Sequence, residues 1–346
     1  SLMLERILNS PRNLESFAKY KAYIDELLYG RITQYRRVIF CGMGGSGTAA
    51  IALFSFFRNN LNVDVKIIQD YEIDPHLFEP KTLFIFSSYS GNTQETLSCF
   101  NKFLSIWKGN PSNEIAAVSI TSGGILLDVS IKNGIPVIKL PEGYLPREAF
   151  PFSLSALIAI SQACHLFSEI NWEKEIQNTI SVIPLIMDEI ENKAIALEVF
   201  LIDTSPETIK IPFIYATGKT SGIAIRWQQQ LNENSKHFAH VNVIPEMHHN
   251  EIVAWERPYP FILPVLITCA DDYPEHIKRM NITAELFIKN EIPHVLIRIT
   301  EEGLAGLWHG ILIGDILSIR LSKKKNVQPS PTKNIDIIKK RLKSFN

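Results

Sequence analysis

The residues best suited to chemistry lie in one short segment in the first third of the chain. Ser87–Thr96 reads SSYSGNTQET and contains five serine or threonine hydroxyls in ten residues. It stands between an apolar run typical of a buried strand and a run typical of a helix. Ser88, Ser90 and Thr93 can each donate to a phosphate oxygen, and the first turn of the helix adds backbone N–H groups. A plain helix cap would use one or two hydroxyls, so this segment favours a phosphate monoester of a small molecule.

A second candidate segment is rich in glycine. Gly42–Gly47 (GMGGSG) follows the strand pattern Arg37–Cys41 and precedes an apolar helix predicted at Thr48–Phe57. Exposed backbone N–H groups at a helix start suit an anion. The first, third and sixth residues also fit the dinucleotide fingerprint G-x-G-x-x-G, with Asp70 near the place of its acidic residue. Nucleotide binding therefore stays an alternative for this segment.

Alternating strand and helix patterns position both segments. Such alternation predicts a parallel sheet that is covered by helices on both faces. In the second half, Pro212–Thr217 leads into a glycine loop at Gly218–Gly222, about 175 residues after the first such unit. We therefore predict an α/β fold with two tandem subdomains, each a mostly parallel, doubly wound, flavodoxin-like sheet. The first-half strands are predicted at Arg37–Cys41, Val63–Ile68, Leu83–Ser87, Ile115–Ile120 and Pro136–Leu140, with helices at 13–35, Thr48–Phe57 and Thr93–Leu104.

The same patterns predict the domain boundaries. Residues 1–150 form a first subdomain with a leading helix, 151–205 a helical bridge, 206–322 a second subdomain, and 323–346 a C-terminal loop with a closing helix. The remaining predicted helices are Ile223–Leu231, Glu275–Lys289, Leu307–Leu321 and Ile335–Leu342, and the remaining strands are Leu263–Thr268 and Val295–Ile299.

Composition narrows the classes of function. The 346 residues are 46% hydrophobic and 21% charged with a net charge of −1, which excludes a disordered chain and leaves no basic excess for nucleic acid. The longest apolar stretch, Phe261–Ala270, is far shorter than the ~20 residues of a membrane span. The four cysteines lack the paired spacing of a zinc site and are expected to be free thiols. We expect a cytoplasmic protein with no membrane or nucleic-acid partner.

At this point the motifs resemble a known family. GMGGSG and SYSGNTQET are similar to the motifs of sugar isomerase (SIS) domains, in which the serine/threonine loop holds the phosphate of a phosphosugar. Leu145–Arg147 (LPR), Asn232–Asn234 (NEN) and Pro245–Glu251 (PEMHHNE) then follow in the order seen in bifunctional phosphoglucose/phosphomannose isomerases. The resemblance covers nearly the whole chain. It implies tandem SIS domains and an enzyme that interconverts glucose 6-phosphate and/or mannose 6-phosphate with fructose 6-phosphate through a cis-enediol, without a cofactor.

The resemblance also implies roles for individual residues. Glu233 matches the base that moves a proton between C1 and C2, and Arg147 resembles the arginine that stabilises the negative enediolate. Both have structural alternatives: a solvated glutamate at a helix end, and an arginine that pairs with Glu142 or Glu148. The residues expected to bind the phosphate are Gly45, Ser46, Ser88, Ser90 and Thr93.

Ring opening requires a further acid/base pair. His249 matches the family's histidine, but His248 stands beside it where asparagine is more usual and remains a second candidate. Lys339 fits the position of a ring-opening lysine in the last helix, with Lys340 and Lys343 as alternatives. In the family this histidine reaches the active site of the neighbouring subunit, so the resemblance implies a homodimer with its active site near the subunit interface.

Four of the nine histidines fall within thirteen residues. They lack the His-x-x-x-His spacing with a third ligand nearby, so we predict no metal site. The four are His237, His240, His248 and His249.

Other classes of function remain open. An SIS isomerase of amino-sugar or heptose phosphates would share the phosphate loop, although NEN and HNE argue against it. A non-catalytic sugar-phosphate-binding regulator would need a partner module, and the ~35 residues before the first strand leave no room for a helix-turn-helix. An NAD-linked dehydrogenase would not require the hydroxyl-rich loop.

Overall fold

A computed structural model describes residues 1–28, 34–109, 114–202 and 208–344. The chain forms two compact units, here called the first unit (residues 1–186, 218–223 and 300–309) and the second unit (187–217, 224–299 and 310–346). This division differs from the predicted boundaries in two ways: residues 218–223 and 300–309, predicted in the second subdomain, belong to the first unit, and the segment predicted as a bridge is shared. Its residues up to Ile186 belong to the first unit, and its residues from Met187 onward belong to the second.

The first unit is built on a five-stranded sheet in which every pairing is parallel. The strand order is β2-β1-β3-β4-β5, the flavodoxin-like order, so the predicted fold class is confirmed for this unit. Its central strands are continuous apolar runs because both faces are covered. The strands are β1 (Arg37–Gly42), β2 (Asp64–Ile68), β3 (Thr82–Ser87), β4 (Ile115–Thr121) and β5 (Val137–Lys139).

The first unit also contains helices, several of which pack against this sheet. They are α1 (Leu2–Asn9), α2 (Ser16–Leu28), α3 (Gly44–Phe56), α4 (Gln94–Gly109), α5 (Gly124–Lys132), α6 (Phe150–Ala163) and α7 (Trp172–Leu185), with a 3₁₀ helix at Ser10–Glu15. The helix predicted at 13–35 is thus two elements up to Leu28, and its positions 29–33 lie outside the described residues. The patterns did not predict α1 or α5.

Aromatic packing fixes α4 on the sheet. Phe84 and Phe86 are alternate residues of β3 and therefore face the same side. Phe86 contacts Phe100 of α4, and Phe84 contacts Phe103, each with ring centroids 5.0 Å apart. All four rings are fully buried. This cluster sets where α4 lies, and so where its first turn meets the end of β3.

The second unit repeats the same design with four parallel strands in the order β7-β6-β8-β9. The strands are β6 (Ile211–Ala216), β7 (His240–Val243), β8 (Ile262–Cys269) and β9 (Val295–Ile299). The helices are α8 (Met187–Leu201), α9 (Ser221–Ser235), α10 (Pro274–Lys289), α11 (Gly303–Lys324) and α12 (Lys333–Lys343), and 3₁₀ helices lie at Glu246–His249 and Glu251–Glu256. The first residues of α9 and α11 are part of the first unit. The edge strand β7 was not predicted, because its sequence HVNV is short and half polar.

Buried polar contacts hold α9 against α11 within the second unit. Arg226 donates to both carboxylate oxygens of Asp315, at 3.0 and 3.1 Å, and both side chains are buried. The Nε1 atom of Trp227 donates to the carbonyl of Gly310 at 2.7 Å. These bonds fix the rotation and the position of α9 about its axis.

α11 is the one helix among the described residues with the length and apolar composition to cross a membrane. In this structure 94% of the apolar stretch of α11 is buried inside the protein, as in a core helix of a soluble protein. All four cysteines are buried free thiols.

Candidate active site

The candidate phosphate site lies where the first sheet reverses its strand order. β1 and β3 are neighbours, with Gly42 opposite Ser87 at their carboxyl ends. Ligands of open α/β sheets bind in the crevice at such a switch point. The two segments singled out from the sequence follow these two strands, and the backbone N–H of Tyr89 donates to Ser46 Oγ at 3.1 Å. The structure therefore brings both segments together.

The glycine segment differs from its prediction as a loop. α3 begins at Gly44, so most of GMGGSG is the first turn of the helix rather than a connection that precedes it. The residue before it, Met43, makes no side-chain cap bond to this turn. The N–H groups at the start of a helix have no intrahelical partner, which suits an anion at this end of α3. Gly45 and Ser46 lie in this turn.

The hydroxyl-rich segment forms a tight turn around Ser88. Its Oγ accepts from the N–H groups of Gly91 (3.1 Å) and Thr93 (3.4 Å) and lies 2.8 Å from Thr93 Oγ1. Since both lone pairs of Ser88 take backbone donors, its hydroxyl hydrogen is left to point toward Thr93 or a ligand. Ser88 is buried, Thr93 is half-buried, and Ser90 is exposed with its Oγ accepting from the N–H of Asn92.

Arg147 approaches the glycine turn of α3. A Cβ atom on Gly45 would lie 3.0 Å from the carbonyl of Pro146 and 3.1 Å from the nitrogen of Arg147, so a glycine allows this close approach. Arg147 is only 4% exposed. Of the two partners considered for it, Glu148 pairs with Arg6 at 2.8 Å and Glu142 lies 3.5 Å from Lys139.

Tyr89 connects the hydroxyl turn to the segment that carries Arg147. Its hydroxyl donates to the carbonyl of Pro141 and accepts from the N–H of Tyr144, both at 2.9 Å. Burial raises the pKa of Tyr89. Tyr89 was not among the residues predicted from the sequence. The available signal was a large aromatic side chain between two serines in a turn that otherwise contains small residues.

The second sheet has the equivalent switch point between β6 and β8, but its chemistry is different. Thr217, just after β6, donates to the carboxylate of Asp272, just after β8, and both side chains are buried. Asp271 adds a second carboxylate at this edge. These carboxylates repel a phosphate dianion. The first sheet is therefore the better phosphate site, although the two sheets share one topology.

Glu233 lies in the last turn of α9, whereas the sequence analysis placed it just past that helix. The next residue, Asn234, is buried and donates to Ser318 Oγ at 3.0 Å, and Ser235 Oγ donates to the carbonyl of Leu231 at 2.7 Å. These bonds extend the helix through the NEN motif. Because successive residues of a helix point about 100° apart, fixing Asn234 against α11 also fixes the direction of the half-buried Glu233.

The two adjacent histidines have different surroundings. His248 Nε2 lies 2.7 Å from Thr283 Oγ1, and its Nδ1 is 3.1 Å from a guanidinium nitrogen of Arg279. Burial and this neighbouring cation lower the pKa of His248. His249 is exposed and, within the described part of the chain, makes no hydrogen bond or ion pair.

The rest of the PEMHHNE motif is occupied in holding its own turn. Asn250 donates to Glu246 at 2.8 Å, and Glu251 accepts from Asn242 at 2.8 Å and pairs with His240 at 2.6 Å. This arrangement leaves His249 as the side chain available for chemistry elsewhere.

Lys339 lies on α12, a helix with no buried residue. Its side chain is exposed and forms no hydrogen bond or ion pair with any residue that the structure describes. Lys340 and Lys343 lie on the same helix and are equally exposed. The structure thus brings together the candidates of the first unit, whereas Glu233, His249 and Lys339 belong to the second unit. Among the described residues there is no group of three or more His, Cys, Asp or Glu that could hold a metal ion.

Comparisons with known proteins identify the family. Residues 204–342 match the model of the bacterial phospho-glucose isomerase C-terminal SIS domain. The chain is 31% identical to a bifunctional phosphoglucose/phosphomannose isomerase of Caldicellulosiruptor bescii, over 98% of each chain. The chain belongs to the bifunctional phosphoglucose/phosphomannose isomerase family. This confirms the resemblance of the motifs and the predicted class of enzyme, a phosphosugar isomerase.

Further relatives agree with this assignment. A bifunctional phosphoglucose/phosphomannose isomerase of Aquifex aeolicus is 30% identical over 90% of this chain and 92% of its own. The fold is also that of a hypothetical protein, TT0462, from Thermus thermophilus, whose crystal structure matches with a TM-score of 0.73 at 15% identity, over 97% of this chain and 89% of that one.

Proposed function

We propose that this enzyme interconverts glucose 6-phosphate and mannose 6-phosphate with fructose 6-phosphate. The observation that carries the proposal is the hydroxyl-rich turn at the first switch point, next to a glycine turn that the backbone of Arg147 approaches closely, in a chain of this family. The sugar's phosphate would bind at the start of α3 and α4 through helix N–H groups and short hydroxyls. The residues proposed for this contact are Gly45, Ser46, Ser88, Ser90 and Thr93.

Isomerisation itself needs a base and a group that stabilises negative charge. We assign Glu233 as the base: it takes the proton from C2 of the aldose and returns it to C1, while the hydroxyl proton passes from O2 to O1 and the carbonyl moves from C1 to C2. Arg147 would stabilise the enediolate oxygen that forms between these steps. Glucose, mannose and fructose 6-phosphates share one cis-enediol, so reprotonation of C2 on either face accounts for both aldoses. The reverse reaction follows the same route.

Ring opening precedes proton transfer, because hexose phosphates are mainly cyclic. We assign it to His249 and Lys339, whose exposed side chains form no hydrogen bond with the described residues. Their exposure fits a homodimer in which His249 completes the active site of the partner subunit. We further propose that the enzyme acts in the cytoplasm, consistent with its free thiols.

Glu233→Gln tests the base assignment. In ²H₂O the wild type should incorporate deuterium at C1 of fructose 6-phosphate, and the variant should lose this exchange while binding the sugar phosphate with unchanged affinity in calorimetry. Ser88→Ala is the matched variant on the phosphate side and should weaken binding instead. Exchange at a near-normal rate in Glu233→Gln would refute the role of this residue.

Complementation tests the proposed dimer. A hybrid of one Glu233→Gln subunit and one His249→Ala subunit contains one intact site if His249 acts on its neighbour. Mixing the two inactive variants under conditions that exchange subunits should then restore about a quarter of wild-type activity. If His249 acts within its own subunit, every site in the mixture stays defective and no activity returns.

A further inference from the structure

The end of α9 is held by a lysine that the proposed chemistry does not use. Lys236 follows the helix directly, and its Nζ donates to the carbonyls of Glu233 (2.8 Å), Gln328 (2.6 Å) and Pro329 (3.3 Å). Glu233 belongs to the last turn of α9, whereas Gln328 and Pro329 belong to the segment that leads into α12. One ammonium group therefore ties together two distant parts of the second unit.

A second lysine reinforces the same connection from the other side. Lys325 Nζ donates to the carbonyl of Lys236 at 2.7 Å and lies 3.3 Å from Nδ1 of His237. His237 is buried, and its Nε2 lies 2.9 Å from the carbonyl of Lys210, the bond that leaves Nδ1 as the acceptor for Lys325. Burial lowers the pKa of Lys325 and of His237. The backbone on both sides of Lys236 is thus fixed.

The backbone conformation of Lys236 is unfavourable for a lysine. Its φ is +49°, in the left-handed region that glycine and asparagine adopt at low cost after a helix. The side chain itself is exposed, so packing does not account for a lysine here. A residue that is locally strained and yet makes three directed contacts is a candidate for a functional constraint.

We propose that Lys236 is a positioning residue for isomerisation. It holds the turn that carries Glu233 in register with the C-terminal segment that carries Lys339, so that the base and the ring-opening lysine keep their places together. This inference rests on the proposed roles of Glu233 and Lys339. The hydroxyl-rich turn around Ser88, which is proposed to bind the phosphate, belongs to the first unit. Loss of Lys236 should therefore lower kcat and leave the KM for fructose 6-phosphate nearly unchanged.

Lys236→Asn separates function from stability. Asparagine adopts the left-handed conformation at a lower cost than lysine, which offsets part of the stability lost with the three hydrogen bonds of Lys236, so the variant should remain folded at the assay temperature. A misplacement of about 1 Å in an active site costs on the order of 100-fold in rate, so kcat should fall between about 10- and 100-fold. Deuterium exchange at C1 and interconversion of the α and β anomers of fructose 6-phosphate should both slow, because the two steps use Glu233 and Lys339.

Two further variants complete the test. Lys323→Asn removes an exposed lysine of the same region whose side chain forms no hydrogen bond or ion pair with the described residues, and it should keep wild-type kinetics. Arginine in Lys236→Arg keeps the positive charge and the N–H donors. Its planar guanidinium cannot donate to all three carbonyls from one nitrogen, as the lysine ammonium does, so the kcat of this variant should fall between those of Lys236→Asn and the wild type.

Each outcome decides the inference. If the wild type is active, Glu233→Gln is inactive and Lys236→Asn keeps kcat within twofold, the positioning role is refuted while the proposed function stands. An equal loss in Lys323→Asn, or a rise in KM with unchanged kcat, also refutes it. If Glu233→Gln retains turnover, the base assignment fails, and the role of Lys236 fails with it.

Discussion

Replacing Tyr89 by phenylalanine tests whether this residue of the hydroxyl-rich turn holds the segment that carries Arg147 in place. The Tyr89 hydroxyl bonds the carbonyl of Pro141 and the N–H of Tyr144, each at 2.9 Å. These two groups lie in the segment that runs into Leu145–Arg147. Phenylalanine fills the same space but leaves both backbone groups without this partner, so the change removes the two bonds and little else.

The expected size of the effect on kcat follows from the loss of those two hydrogen bonds. A hydrogen bond contributes about 0.5–1.5 kcal/mol net, so the native conformation of the segment that leads to Arg147 is destabilised by about 1–3 kcal/mol. This corresponds to roughly a 5- to 150-fold change in an equilibrium or a rate. Because Arg147 is proposed to act on the enediolate and not on the phosphate, the loss should fall on kcat, with KM for fructose 6-phosphate changed by less than about threefold.

Steady-state kinetics of Tyr89→Phe measures kcat and KM, and urea unfolding in parallel measures the free energy of unfolding of the variant. Tyr23→Phe is the matched control, since Tyr23 is 40% exposed and its hydroxyl makes no hydrogen bond within the described residues. It should match the wild type. If Tyr89→Phe stays folded and keeps kcat within twofold of the wild type, the reasoning that Tyr89 fixes the Arg147 segment is wrong.

Three further predictions concern stability. Gly91→Ala should cost at least about 2 kcal/mol in urea unfolding and weaken phosphate binding, because Gly91 has φ +72° and its Cβ would lie 1.8 Å from the carbonyl of Gly123. Arg226→Met should cost about 3–5 kcal/mol by the same measurement, since it leaves the buried Asp315 carboxylate without its bidentate partner. His248 has a lowered pKa, so the unfolded chain binds its proton more tightly; stability should be greatest above about pH 6.5 and decline as the pH falls below it, less steeply in His248→Gln.

Each of these three predictions has a result that would contradict it. Gly134→Ala carries a similar φ of +67° but meets nothing within 4 Å, so it should cost about 1 kcal/mol; an equal cost at Gly91 would show that the contact with Gly123 is unimportant. A loss below about 1 kcal/mol in Arg226→Met would contradict the account of the α9–α11 contact. If the free energy of unfolding of His248→Gln and of the wild type depends on pH in the same way, His248 does not cause the loss of stability at low pH.

The strands were the most predictable part of the fold. β1 and β3 each extend one residue beyond their predicted bounds, because buried parallel strands are continuous apolar runs with sharp ends. The edge strand β9 has the predicted bounds, Val295–Ile299, since four of its five residues are apolar. β7, the other edge strand of that sheet, was missed because its four residues, HVNV, are half polar. α5 was missed because it begins at the paired glycines Gly123 and Gly124, which ordinarily indicate a turn.

The residues of the candidate site could be singled out from the sequence, but their exact positions and contacts could not. The hydroxyl turn and the glycine turn lie together because a parallel sheet places the ends of neighbouring strands side by side. The end of α9 was placed too early because the bond from Asn234 to Ser318 joins residues far apart in the chain. For the same reason the contact of His248 with Thr283 on α10, which distinguishes it from His249, could not be read from two adjacent histidines.

The most direct test of the proposed function uses fructose 6-phosphate alone. The purified enzyme is mixed with this substrate, without added metal or nucleotide, and the aldose phosphates are followed by NMR. The account predicts that glucose 6-phosphate and mannose 6-phosphate both appear, each with deuterium at C2 when the solvent is ²H₂O. Saturable binding of fructose 6-phosphate without formation of either aldose would contradict it.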